Sequence, residues 1–167
     1  MQALLQKHAT RRNILILFVA FIVFEILFIL LLPSGENAKM IDISGAKKGS
    51  EIYRIIEKYD DHIRKSYIWG AVTLDLVFPL VYFLLFSFLL IRFWGKTPLV
   101  FLPFFQMIFD LLENAGIVIM LRSWPQQLAG IANTTVIFSW IKWGLAVVSI
   151  AFILIGMLKD RLVKRTV

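Results

Sequence analysis

The stretch Phe109-Asp110-Leu111-Leu112-Glu113-Asn114 sets two carboxylates and an amide inside a run, Leu99 to Leu121, that is otherwise apolar enough to cross a bilayer. How that run is read decides the fold. Hydrophobic residues make up 59% of the 167-residue chain and the mean hydropathy is +0.79. Runs of about twenty apolar residues recur, which soluble domains seldom show. Four windows stand out: Asn13 to Leu32, Ile68 to Phe93, Leu99 to Leu121 and Val136 to Leu158. None alternates polar with apolar, and only helices and closed barrels satisfy the backbone in hydrocarbon. The expected fold is therefore all-α, a bundle of four transmembrane helices forming a single integral membrane domain over residues 1–167.

Charge places the ends. Of the 18 Lys and Arg residues, nine fall on one side of the windows with a single acid, Asp160, and eight on the other with six acids. Lys142 lies inside. The short, acid-poor side is the cytoplasm by the positive-inside rule, so both termini are expected there, with the bacterial inner membrane as the expected location. This asymmetry, with basic tails touching anionic lipid, accounts for the formal charge of +7 without nucleic acid as a partner. The absence of cysteine removes disulfides, thiol redox chemistry, thiolate metal sites and Cys nucleophiles. A cleaved signal peptide does not fit the first window, which is too long and is followed by Pro33-Ser34-Gly35-Glu36-Asn37-Ala38, with no A-x-A-like site.

Met1 to Arg12 is a short basic lead, and the first window carries one ionisable residue, Glu25. Pro33-Ser34-Gly35 is expected to break that helix, and Gly45 to Gly49 to form a second flexible point. After Ser50, read as an N-cap, Ile52, Ile55, Ile56, Tyr59 and Ile63 recur at helical spacing opposite Glu51, Arg54, Glu57, Lys58, Asp61 and Arg64. That pattern predicts an amphipathic interfacial helix over about 50–65 in the long first outer loop. In the second window Asp75, Pro79 and Tyr82 share a face; Pro79 frees the carbonyl of Asp75 and bends the helix beside the carboxylate. In the third, Gln106, Asp110, Glu113 and Asn114 share a face. In the fourth, Ser139, Lys142, Ala146 and Ser149 form a stripe flanked by Trp140 and Trp143.

Depth links these stripes. Counted inward from the outer end of each window, Glu25, Asp75, Glu113 and Lys142 fall six to eight residues in, roughly 10 Å at the rise of an α-helix. With Asp110 one turn deeper, that layer holds four acids and one base. Lys142 can pair with an acid of the third helix, other acids can hold their protons, or a cation can fill the gap. Neither histidine lies in a helix with an acid partner, so diiron and histidine-ligated zinc sites are not expected, and no metal or cofactor is called for. No Gly-x-Ser-x-Gly, Walker or dinucleotide motif appears. An acid–base pair at Asp110 and Glu113 stays open.

Leu74-Asp75-Leu76-Val77-Phe78-Pro79-Leu80-Val81-Tyr82 followed by Asp110-Leu111-Leu112-Glu113-Asn114 resembles a pattern seen in small uncharacterised prokaryotic four-helix membrane proteins. The likeness covers most of the chain and implies the fold without an activity. In layout, a long outer loop ending in an amphipathic helix before the second span, the chain is similar to the emopamil-binding and sigma-2-receptor superfamily. Its members hold cationic amphiphiles or sterols between acidic and aromatic residues, though no motif carries over residue by residue. The small multidrug transporters resemble it in an acid of the first helix, Glu25, and in four spans, but their loops are much shorter.

The expectation is a polar pocket in the outer half of the bundle built from Glu25, Asp75, Asp110, Glu113, Asn114 and Lys142 and lined by Tyr82, Gln106 and Trp143. Three functions fit it: binding, or acting on, a lipid-soluble cationic or polar-headed molecule; proton- or cation-coupled transport by a homo-oligomer; or a structural subunit whose polar layer only orients helices.

Overall fold

A computed structural model describes residues 2–32 and 38–165, with side chains placed as far as residue 162. Its elements are α1 (Gln2–His8), α2 (Arg11–Leu31), α3 (Gly49–Ile56), α4 (Asp61–Trp94), a 3-10 turn (Pro98–Val100), α5 (Phe101–Ser123) and α6 (Ala129–Arg165). Helices α2, α4, α5 and α6 are long and apolar enough to cross a membrane. The break expected at Pro33-Ser34-Gly35 falls outside the described residues.

Local chemistry sets the ends. Thr10 Oγ1 accepts from the Asn13 amide at 3.2 Å and opens α2. Asp60 Oδ1 accepts from the Ile63 amide at 2.7 Å and opens α4, satisfying donors that have no partner within the helix. Gly95 closes α4 with φ 68°, a conformation only glycine adopts at little cost. Counting apolar windows places these helices but truncates them: α4 starts at Asp61 and α6 runs from Ala129 to Arg165, because a helix continues past the point where its side chains turn polar. The basic lead also contains a helix, α1, whose Leu5 is buried with Phe83, Phe88, Ile91 and Val100.

The expected helix over 50–65 is not continuous. Its first half is α3, its last residues are the first turn of α4, and Asp60 between them is extended (φ −74°, ψ 176°) because it caps the second helix. The apolar stripe survives the break. Ile52, Tyr53, Ile56 and Tyr59 are buried against Ile117, Met120 and Leu121 of α5 and Ala132 and Val136 of α6. Fully burying Ile52 and Ile56 contributes roughly 1.5–3 kcal/mol each. Tyr53 OH also accepts from the Leu128 amide at 2.6 Å, and the Gly49 amide donates to Asn133 Oδ1 at 2.9 Å. Thus α3 closes one end of the bundle, called here the cap end, where packing on α5 and α6 takes the apolar face that the sequence assigns to an interface.

Helices α4, α5 and α6 form the packed body. Helix α2 leans on α4 through aromatic contacts: the rings of Phe21, Phe24 and Phe28 lie 5.2, 5.7 and 5.3 Å from Phe78. No residue of α2 is buried, although almost all are apolar. Helices α5 and α6 pack closely at Gly116, where a Cβ would meet Thr135 Oγ1 at 2.1 Å and Thr135 Cβ at 3.3 Å. Thr135 is stiff, and its hydroxyl is spent on the Ile131 carbonyl at 2.9 Å. Gly116→Ala is expected to destabilise the protein by about 1–3 kcal/mol through overpacking, read as a lower thermal midpoint in detergent. Gly130→Ala, where nothing lies within 4 Å, is the control; equal midpoints for the two variants would contradict the close packing.

Candidate functional site

A cavity of about 640 Å³ fills the space that α2, leaning on α4, leaves open toward α6. Glu25 and Ile29 of α2 and Trp143 and Ile150 of α6 line it and are exposed, so they frame its mouth on the side of the bundle. Phe21, Phe28, Phe78 and Phe86 form an apolar wall. The opposite wall is polar, built from Asp75 and Tyr82 of α4, Gln106 and Asp110 of α5 and Lys142 of α6. Such a chamber, mostly apolar with a few converging polar groups, has the size and character of a small-molecule site.

The polar wall is a chain of contacts. Lys142 Nζ lies 3.1 Å from Asp110 Oδ1 and 2.5 Å from Glu113 Oε2, and Tyr82 OH donates to Asp110 Oδ2 at 3.0 Å. Lys142, Asp110 and Glu113 are 6%, 7% and 1% exposed. One ammonium therefore faces two carboxylates away from water, and it also sits 5.5 Å from the centroid of the Trp143 ring. The stripes predicted on the third and fourth windows are what bring these groups together. Pro79 leaves the Asp75 carbonyl without its helical donor, and Asn114 Nδ2 supplies one from α5 at 3.3 Å.

The expected site residues fall into two groups. Glu25, Asp75, Tyr82, Gln106, Asp110, Lys142 and Trp143 line the cavity. Glu113 and Asn114 do not. Glu113 stands behind Lys142 as its second carboxylate, and Asn114 is occupied by the backbone of α4. Among the described residues no hydrogen bond or ion pair reaches the half-buried Asp75 carboxylate, and the buried Gln106 Oε1 likewise has no partner. The Asp75 carboxylate thus lines the cavity with nothing to accept from, and Gln106 Oε1 is shut away beside it without a donor, an arrangement that costs stability unless a donor arrives.

Asp42 lies on the cavity wall without being among the expected site residues. It belongs to the connection after α2, which folds back so that Ala38, Lys39, Met40, Asp42 and Ile43 line the cavity as well. Aromatic hydroxyls and indoles hold this segment in place. Tyr67 OH donates to Asp42 Oδ1 at 3.0 Å and accepts from the Ile41 amide at 3.0 Å. The indole of Trp143 donates to the Asp42 carbonyl at 3.1 Å and that of Trp140 to the Ala46 carbonyl at 3.1 Å. Tyr59 OH donates to the Lys39 carbonyl; burial and then the nearby Asp42 push its pKa well above the usual phenol range, so it stays a donor at physiological pH. The available signal was Met40-Ile41-Asp42-Ile43, an acid flanked by apolar residues inside a polar connection.

Four carboxylates, Glu25, Asp42, Asp75 and Asp110, and two ammonium groups, Lys39 and Lys142, now face one chamber, and Lys142 is also shared with Glu113. By formal charge the chamber is net negative. Among the described residues, no three His, Asp or Glu side chains are arranged to hold a metal ion. The Asn114 contact makes a separable prediction: Asn114→Leu should cost about 0.6–2 kcal/mol, and in a Pro79→Ala background, where the helix can satisfy its own carbonyl, the cost should fall toward zero. Thermal unfolding of the four proteins of that cycle measures the coupling, and strict additivity would contradict the assigned bond.

Comparisons with protein-family models, with curated proteins and with solved structures returned no match. The chemistry of the site carries the functional reading.

Proposed function

We propose that the protein is a multi-pass membrane protein that takes up a lipid-soluble molecule bearing a cationic or donor-rich head. The four apolar helices cross the bilayer with both termini cytoplasmic and the cap end outward, and the mouth between α2 and α6 opens to the lipid. The observation that carries this reading is the unpartnered Asp75 carboxylate on the polar wall of an otherwise apolar cavity whose formal charge is negative. A protonated amine answers both demands: it supplies donors and it offsets charge that a low-dielectric interior tolerates poorly. The apolar body of the ligand lies along the phenylalanine wall, where aromatic faces also favour a cation.

The test is thermal unfolding in a mild neutral detergent with three compounds of one hydrophobic skeleton: a tertiary amine, its carbon isostere and the corresponding carboxylic acid. The amine is expected to raise the midpoint and the other two to leave it unchanged, since only a ligand that binds the folded state shifts it. Equal stabilisation by all three would contradict the reading.

One observation favours a second reading, cation- or proton-coupled transport. Asp110 and Glu113 share a single lysine, so one carboxylate is always in excess and is free to trade a proton for a cation. Proton flux in liposomes that persists unchanged in Glu113→Gln would count against it.

A further inference from the structure

We infer that the protein is a two-ended passage rather than a closed receptor: a molecule taken up laterally leaves at the cap end, past a partition made by Asp42, Ile43 and Trp143. The inference rests on the reading above, that the large cavity receives an amphiphile from the side. A second cavity, of about 340 Å³, lies between residues 43–46 and the α6 turn from Ser139 to Trp143. Ile43, Gly45 and Trp140, which line it, are exposed, so it opens at the surface beside the connection that leads into α3.

The two cavities have Asp42, Ile43 and Trp143 as common lining. Those three residues are the wall between them. No regular secondary structure braces the wall from the connector side, where residues 38–48 form only bends and turns. On that side it is held by side-chain hydrogen bonds, the Trp143 indole on the Asp42 carbonyl, Tyr67 on the Asp42 carboxylate and the Trp140 indole on the Ala46 carbonyl, and by Ile41, which is buried in the core beside Asp42. A wall tied by a few side-chain bonds to irregular backbone opens at far smaller cost than one of packed helices. Trp143 is itself half exposed, so its ring can swing without leaving a filled core.

The charges also favour a path. A cationic head leaving Asp75 meets the carboxylate of Asp42 in the partition and then the faces of Trp140 and Trp143, a sequence of acceptors that keeps it partnered along the way. The apolar body follows between Ile43 and the indoles. Lateral uptake and exit at the cap end would move an amphiphile from the bilayer to its aqueous edge.

The chain has no cysteine, so a single introduced thiol reports access without background. Ala146 is buried and lines the large cavity but not the smaller one. In proteoliposomes the bilayer covers the lateral mouth, and a charged, membrane-impermeant methanethiosulfonate reaches the thiol of Ala146→Cys only past the partition. Combining Ala146→Cys with Trp143→Ala should speed modification about fivefold to tenfold or more, as expected when one hydrogen bond and the ring that fills the wall are lost. The trimethylammonium reagent should outpace the sulfonate reagent. Trp143→Phe, which keeps an aromatic ring but loses the indole donor and some of its volume, should fall between the two and guards against misfolding of the alanine variant. Equal rates in all three backgrounds would overturn the passage, even if tertiary-amine binding in detergent stands. Faster modification supports it, even if amine binding fails.

Discussion

Replacing Lys142 by methionine is expected to destabilise the protein by about 3–5 kcal/mol, the usual result of leaving buried charges without their partner. For a chain of this length that is on the order of 10 °C in thermal midpoint. The reason is geometric: Lys142 is the counter-charge of both Asp110 and Glu113, at 3.1 and 2.5 Å, and all three are almost wholly buried. Removing it leaves two carboxylates facing each other away from water. The same logic predicts rescue, because neutral groups of similar shape replace a buried ion cluster at little net cost. Lys142→Met combined with Asp110→Asn and Glu113→Gln should recover most of the lost stability. A single variant as stable as the parent would show that the cluster is solvated, and a triple variant no better than the single one would show that more than charge holds the helices there.

Asp75→Asn is expected to have the opposite profile: a folded protein with ordinary stability and a loss of tertiary-amine affinity of about 2 kcal/mol or more, near thirtyfold. The Asp75 carboxylate has no hydrogen bond or ion pair to lose among the described residues, so the amide disturbs nothing in the resting protein. Binding of the neutral carbon isostere should not change. Asp110 makes a poorer probe, since Asp110→Asn weakens its bonds to Lys142 and Tyr82 and mixes folding with binding. Titration of the amine against both proteins in detergent measures the effect, and equal affinities would remove Asp75 from the site.

The contrast between the two residues shows what was legible in the sequence. Helical spacing placed Gln106, Asp110, Glu113 and Asn114 on one buried face and Lys142 on another, because the 3.6-residue period is a property of the backbone and does not depend on the partner helix. Pro79 announced an orphan carbonyl at Asp75, and the structure places the Asn114 amide on it. Spacing could not rank the members of a stripe. Whether a residue faces the cavity or stands one layer behind depends on how α4, α5 and α6 are rotated against each other, and this separates Asp110 from Glu113 although both lie on the same face.

Irregular backbone was the harder part. Asp42 carries no periodic signal, and its place on the cavity wall is set by Tyr67 and Trp143, which are distant in sequence. The break at Glu57 to Asp60 was hidden for a related reason. The apolar stripe of Ile52, Ile56, Tyr59 and Ile63 runs through it, and the cap at Asp60 is the only local mark that a second helix starts there. In α2, by contrast, the apolar window was plain, while the leaning of that helix on α4 by three phenylalanines, which opens the cavity, followed from packing alone.

The central claim is that the unpartnered Asp75 carboxylate on α4 receives a cationic head. An experimental structure of the protein with a tertiary amine carrying a heavy atom in its apolar body tests it most directly. The account predicts the nitrogen within hydrogen-bonding distance of the Asp75 carboxylate and the heavy atom against Phe21, Phe28 and Phe78. Density for the amine outside this cavity, or inside it with the nitrogen turned to the phenylalanine wall and Asp75 still without a partner, would contradict it.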